Sequence, residues 1–138
     1  MKQKMLSAGV VILRHGPDGR RYLLLRCYHY WDFPKGRVEA DETPFDAACR
    51  EVREETALDA LDFAWGKTYC ETPPYGAGKV ARYYLAVAHD PAVQLLVNPE
   101  LGVPEHHEYR WLDYASARAL LAPRLLPVLD WAHDTSRC

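Results

Sequence analysis

Two apolar runs of strand length, residues 7–14 (Ser-Ala-Gly-Val-Val-Ile-Leu-Arg) and 21–26 (Arg-Tyr-Leu-Leu-Leu-Arg), are separated only by His15-Gly16-Pro17-Asp18-Gly19. That connection carries strong turn chemistry, so the two runs are read as a β-hairpin. Their apolar centres, Val10 to Leu13 and Tyr22 to Leu25, fall far short of the roughly 18 residues a membrane span needs. The chain has 138 residues, 49% hydrophobic and 26% charged, which is ordinary usage for one globular unit and excludes a disordered, collagen-like or coiled-coil chain. One domain over 1–138 is expected.

Beyond the hairpin lies a loop rich in aromatics, Gly and Pro, from Tyr28 to Gly36. Thr43-Pro44-Phe45-Asp46 then supplies an N-cap, a proline at the first helical position and an acid in the first turn. The pattern predicts a helix from Pro44 to about Thr56, with Phe45, Ala48, Cys49 and Val52 on one face. Strands are expected over 61–72 and 79–88, divided by the loop Pro73-Pro74-Tyr75-Gly76-Ala77-Gly78. A short strand around Tyr109 to Leu112 precedes helical sequence from Tyr114 to Leu121 and from Leu125 to His133. This order predicts an α/β fold, a mixed sheet with helices packed on it. No internal repeat or low-complexity segment is present.

Seventeen Lys and Arg stand against nineteen Asp and Glu, a net charge of −2, which argues against a nucleic-acid backbone or an anionic membrane as partner. A polyanionic small molecule would have to be held locally. The start, Met1-Lys2-Gln3-Lys4-Met5, lacks the apolar core and cleavage site of a secretory signal, and a cytoplasmic protein is expected. Cys27, Cys49, Cys70 and Cys138 form no Cys-x-x-Cys pair and no Cys/His cluster, so neither a zinc site nor a disulfide framework is indicated.

Glu51, Glu54 and Glu55 stand three and four apart, so a helix places their carboxylates side by side. Only Glu54 has a cation, Arg50, at helical spacing. Each like-charge pair costs an isolated helix roughly 0.2–0.5 kcal/mol, which has the wrong sign for a sequence chosen for stability alone. A divalent cation reverses that sign, and a set of hard oxygen donors without Cys or His suits Mg²⁺ or Mn²⁺. A solvated acidic surface helix would explain three glutamates equally well. The surrounding pattern decides between them.

From Gly36 the chain runs Gly, five residues, Glu42, seven residues, then Arg50-Glu51-Val52-Arg53-Glu54-Glu55-Thr56-Ala57-Leu58. This resembles the box of the Nudix hydrolases at nearly every position and at the right spacing, and the order of strands and helices around it resembles the Nudix α/β/α sandwich. One position departs: Ala57 stands where the family has a glycine, at a helix end whose left-handed conformation costs a residue with a Cβ roughly 1 kcal/mol. The resemblance implies hydrolysis of a nucleoside diphosphate linked to another moiety. It implies that Glu51 and Glu55 are the main metal ligands, that Glu54 binds metal or orients water, and that Arg50 orients a catalytic glutamate. Glu42 matches the box's more peripheral acid.

Outside the box, Trp31-Asp32-Phe33-Pro34-Lys35-Gly36 and Glu105-His106-His107-Glu108-Tyr109-Arg110-Trp111-Leu112 look like the asymmetrical diadenosine tetraphosphate hydrolases, and Pro-Lys-Gly is shared with diphosphoinositol polyphosphate hydrolases. Lys35 is then a candidate phosphate contact and Glu105 a metal ligand or base, with His106 in the same motif. Lys79-Val80-Ala81-Arg82-Tyr83 resembles the family strand that carries a phosphate-binding lysine and, four residues on, an adenine-stacking tyrosine. On a strand Lys79 and Tyr83 share one face, so they could converge on one nucleotide; core packing is the plain alternative for Tyr83. Tyr28, Tyr30 and Trp31 form a second aromatic group that could close over a base or fill the core. Trp111 and Leu112 are read as core.

The expected activity is Mg²⁺-dependent hydrolysis of a dinucleoside oligophosphate such as diadenosine tetraphosphate, giving ATP and AMP, by a monomer or homodimer. The alternatives are another Nudix pyrophosphohydrolase, acting on a nucleoside triphosphate, an RNA 5′ end or a diphosphoinositol polyphosphate, and a catalytically silent nucleotide-binding module.

Overall fold

The computed structural model describes residues Met5–Arg137. The N-terminal residues read above as lacking a signal lie, up to Lys4, outside that range, as does Cys138. The strands are β1 (Met5–Gly16), β2 (Gly19–Cys27), β3 (Tyr30–Asp32) and β4 (Lys35–Arg37), followed by helix α1 (Pro44–Thr56). Then come β5 (Leu61–Asp62), β6 (Tyr69–Glu71), β7 (Lys79–Ala88), β8 (Val97–Asn98), β9 (Val103–Pro104) and β10 (Glu108–Leu112). Helices α2 (Tyr114–Leu120) and α3 (Leu126–Ser136) close the chain, joined through a 3₁₀ turn, Pro123–Leu125.

The hairpin forms as expected, with Gly16 opposite Gly19 and only Pro17 and Asp18 between the strands. The main sheet runs β10-β2-β1-β7-β5, with β3 on β2, β4 on β1 and β6 on β7. It is mixed: β1 and β7 are parallel, and every other pairing in it is antiparallel.

Both faces of the central strands are covered, which is why they read as unbroken apolar runs rather than as alternation. On one face Val11, Leu13, Tyr22, Leu24, Tyr83 and Leu85 pack against Leu125, Val128, Leu129 and Ala132 of the C-terminal helical segment. On the other, Val10, Ile12, Leu23, Leu25, Tyr84 and Ala86 pack against Ala47, Ala48 and Val52 of α1. The result is a helix–sheet–helix sandwich, the architecture expected. No helix among the described residues is long and apolar enough to cross a membrane.

One segment differs from expectation. The stretch 61–72 is two short strands rather than one, because the chain leaves the sheet after Asp62 and turns through Gly66 at φ 73° before rejoining β7 at Tyr69.

Helix α1 begins where its caps dictate: the Thr43 side chain accepts a hydrogen bond from the Asp46 N–H at 3.1 Å, and Pro44 occupies the first turn. It ends at Ala57, which adopts the left-handed conformation (φ 65°) and donates its N–H to the Arg53 carbonyl at 3.0 Å. The helix end therefore keeps its glycine-type geometry despite the Cβ. Ala57→Gly is expected to stabilise the protein by about 0.5–1 kcal/mol, the relief of that strain less the extra freedom of the unfolded chain. An increased denaturant midpoint at unchanged slope is the readout.

Candidate active site

Strand β4 brings the loop before the box onto β1, pairing Gly36 with Ala8 and Lys35 with Gly9. Both glycines are needed for close approach. A Cβ on Gly9 would lie 2.1 Å from the Pro34 carbonyl oxygen, and one on Gly36 would lie 2.0 Å from Cδ of Glu51. The Glu51 carboxylate is thus laid directly against the β4 backbone, which locks the acidic face of α1 to the end of the sheet.

Arg50 organises that face. Its Nε and Nη2 hold the two oxygens of Glu42 at 2.7 and 3.0 Å, its Nη1 reaches Glu51 at 2.9 Å and Glu54 at 3.2 Å, and Nη2 also donates to the Arg37 carbonyl at 3.0 Å. Glu51 has no cation at helical spacing, yet its sequence neighbour Arg50 reaches it, because the fork-shaped guanidinium spans several carboxylates at once.

The hydrogen bonds from Arg50 hold the Glu42 carboxyl at a pKa of about 2. A carboxylate lowered in the folded state adds stability above its ordinary value of 4.5 and loses it as the pH falls toward 2. Thermal melts between pH 7 and pH 2 should show that loss in the native protein and a shallower one in Arg50→Gln, which starts from a lower melting temperature at neutral pH.

Glu55 is the deepest acid among the described residues, only 7% exposed, and neither of its carboxylate oxygens has a hydrogen-bond partner among them. Burial, then the neighbouring charges of Glu51 and Glu105, push its pKa well above the carboxylate range. His106 lies beside it, with Nε2 3.6 Å from Glu55 Oε1 and Nδ1 3.9 Å from Glu105 Oε2. Burial lowers the His106 pKa to about 4, so at neutral pH the ring is uncharged and offers a lone pair. One donor atom each from Glu55, Glu105 and His106 lie within 4.8 Å of one another. Partnerless buried carboxylate oxygens with two further donors converging on them fit a divalent cation, since an unpaired buried charge is otherwise costly.

These residues line a cleft of about 580 Å³. Of the expected site residues, Lys35, Arg50, Glu51, Glu54, Glu55 and Glu105 all face it. Glu54 is more open than Glu42, Glu51 or Glu55, its side chain 57% exposed and paired with Arg50. Lys79, Tyr83 and Trp31 are not part of the cleft lining.

Tyr83 does share a sheet face with Lys79, but that face is the one beneath the C-terminal helices. Its ring is fully buried, edge-on to Phe33, and its hydroxyl donates to Asp32 Oδ1 at 2.8 Å, so the base-stacking expectation gives way to core packing. Trp31 is likewise in the core, its ring covered by Arg110 at 4.9 Å. Tyr28 and Tyr30 are the exposed members of that aromatic group. Lys79 is exposed at the start of β7, its backbone bonded in both directions to Tyr75.

Two residues that sequence reasoning left out emerge beside Lys35. Asp32 accepts hydrogen bonds from Tyr83 and from the Phe33 N–H at 2.7 Å and faces the Lys35 ammonium at 3.7 Å. Arg124, from the 3₁₀ turn, approaches the same carboxylate at 3.5 Å. Asp32 had a signal, an acid between two aromatics ahead of Pro34-Lys35; Arg124 had none, since only the fold carries it there.

Comparison with known proteins agrees with this geometry. The profile of the NUDIX domain matches residues 4–132. An asymmetrical bis(5′-nucleosyl)-tetraphosphatase of Mus musculus is 32% identical over 102 residues, covering 70% of this chain and 66% of the mouse protein. An RNA pyrophosphohydrolase of Bartonella tribocorum is 25% identical over 130 residues, covering 78% of this chain and 75% of that protein. Among solved structures, a binary complex of the C. elegans Ap4A hydrolase superposes with a TM-score of 0.79 at 25% identity, over 95% of this chain and 96% of the other. The box, the sandwich that positions it and the profile match over nearly the whole length place the chain in the NUDIX domain family.

Proposed function

We propose that this Nudix pyrophosphohydrolase cleaves a dinucleoside oligophosphate such as diadenosine tetraphosphate, releasing ATP and AMP, with Mg²⁺ as its cofactor and Mn²⁺ as a substitute. The observation that carries the reading is the buried, partnerless Glu55 carboxylate at the floor of a cleft that also presents Glu51, Glu54, Glu105 and Lys35. The likeness to the mouse tetraphosphatase and the C. elegans hydrolase supports the substrate.

Glu51, Glu54 and Glu55 are the residues that would hold the metal, with the His106 ring beside Glu55 at 3.6 Å. Bound there, a divalent cation supplies neutralisation of charge on the leaving phosphate and acidification of a water. Arg50 keeps Glu51 aimed into the cleft, Lys35 takes a phosphate oxygen, and the half-exposed Glu105 carboxylate accepts the proton of the attacking water. The protein is expected to work as a monomer or homodimer in the cytoplasm. A second reading, removal of pyrophosphate from RNA 5′ ends, has the Bartonella relative in its favour and the net charge of −2 against it.

The test is turnover of diadenosine tetraphosphate with Mg²⁺ in ¹⁸O-labelled water, with the products separated and the label located by mass spectrometry. ATP plus AMP is the expected result. No turnover by protein that binds Mn²⁺ would overturn the substrate assignment and move the search to RNA 5′ ends and nucleoside triphosphates.

A further inference from the structure

Arg124 is over-provided with support and under-provided with partners. Its guanidinium carbon lies over the Tyr75 ring, 4.5 Å from the ring centroid, a cation–π contact that supports it. Its Nη2 faces Asp32 Oδ2 at 3.5 Å, beyond a direct hydrogen bond, and its Nε is buried with no partner among the described residues. The side chain as a whole is nevertheless 32% exposed, so its other end is open to a ligand.

Asp32 explains where the charge goes. Its Oδ1 is fully used by the Tyr83 hydroxyl and the Phe33 N–H, and burial keeps that phenol protonated as a donor. Only Oδ2 is left, and it faces two cations, Arg124 at 3.5 Å and Lys35 Nζ at 3.7 Å. One carboxylate therefore spaces two positive groups without neutralising both. Both cations lie within 3.7 Å of that one oxygen, so a phosphate chain can span them; Lys35 lines the acidic cleft, and Arg124 and Asp32 lie beyond its lining. A guanidinium kept as a mere anchor for the 3₁₀ turn would use its donors on protein acceptors; this one has an orphan and an excess of charge.

We propose that Arg124 is a substrate-binding residue, which with Lys35 forms a clamp for the phosphates extending away from the acidic end of the cleft. The inference rests on the reading above that the substrate carries a chain of phosphates. The clamp selects for chain length: a longer oligophosphate reaches both cations, a shorter one only Lys35.

Steady-state kinetics on diadenosine tetraphosphate with Arg124→Ala and Arg124→Lys test it. Arg124→Ala should raise KM roughly tenfold, the loss of one charge-assisted contact, with kcat within threefold and the melting temperature within a few degrees. Arg124→Lys should recover part of the KM. An unchanged KM, or a fall in kcat with KM constant, overturns the proposal. If either variant folds poorly, the other carries the comparison. Calorimetric binding of inorganic tripolyphosphate, which needs no turnover, separates the two readings. Wild-type protein that hydrolyses no diadenosine tetraphosphate but binds tripolyphosphate about tenfold more tightly than Arg124→Ala overturns the substrate alone. Equal binding by the two proteins overturns the clamp.

Discussion

Glu55→Gln is expected to lower turnover by roughly a hundredfold or more while leaving the protein folded and, without metal, more stable. The change keeps the side chain's volume and removes the charge that a buried, partnerless site tolerates only with a cation beside it. The sign of the stability effect follows from protonation. Burial raises the folded-state pKa of Glu55 well above 4.5, so the metal-free folded protein keeps a proton that the unfolded chain releases. Its stability is therefore fully present below the ordinary carboxylate value and declines as pH rises toward the raised one. Melts in chelator across pH 4.5 to 8 should show that decline in the wild type and lose most of it in Glu55→Gln. Added Mg²⁺ or Mn²⁺ should raise the melting temperature of the wild type and barely move that of the variant. Wild-type turnover in Glu55→Gln would remove Glu55 from the metal site.

Gly36→Ala should be nearly as damaging, through geometry alone. The added Cβ would lie 2.0 Å from Glu51 Cδ and 2.2 and 2.3 Å from its two oxygens, inside any permitted contact. The β4 backbone is held by its pairing with β1, so the Glu51 side chain must move, away from Arg50 and out of register with Glu55. Misplacing a reacting constellation by about 1 Å costs on the order of a hundredfold in rate, and kcat/KM should fall by that much. Because the displaced atoms are the far end of a flexible side chain, the circular dichroism spectrum should remain native. Full activity in Gly36→Ala would show that Glu51 does not need its place against β4.

Much of this was legible in one dimension because it is local chemistry. Thr43 and Pro44 start α1 and the box spacing ends it, since caps and proline act within a turn. The hairpin follows from Gly16-Pro17-Asp18-Gly19. The acidic face was visible from spacings of three and four, because a helix has one period. The break in 61–72 was not, since leaving a sheet edge depends on which neighbour is there to pair. Aromatic residues misled for a related reason. Tyr83 and Trp31 look alike as ligands or as core in a sequence, and only the packing of the C-terminal helices over their face of the sheet decides for core.

The sequence by itself determined the box, its helix, the acids it presents and the family to which they belong, because each rests on residues within a few turns of one another. The tertiary structure alone decided how those acids are used. It laid Glu51 against Gly36, buried Glu55 without a partner, and carried Glu105 and His106 from the far side of β8 and β9 to meet it. It also brought Arg124 to the Asp32 carboxylate across 92 positions of chain. Burial and convergence are properties of the packed sheet and its two helical layers, and burial there raises the pKa of Glu55 and lowers that of His106.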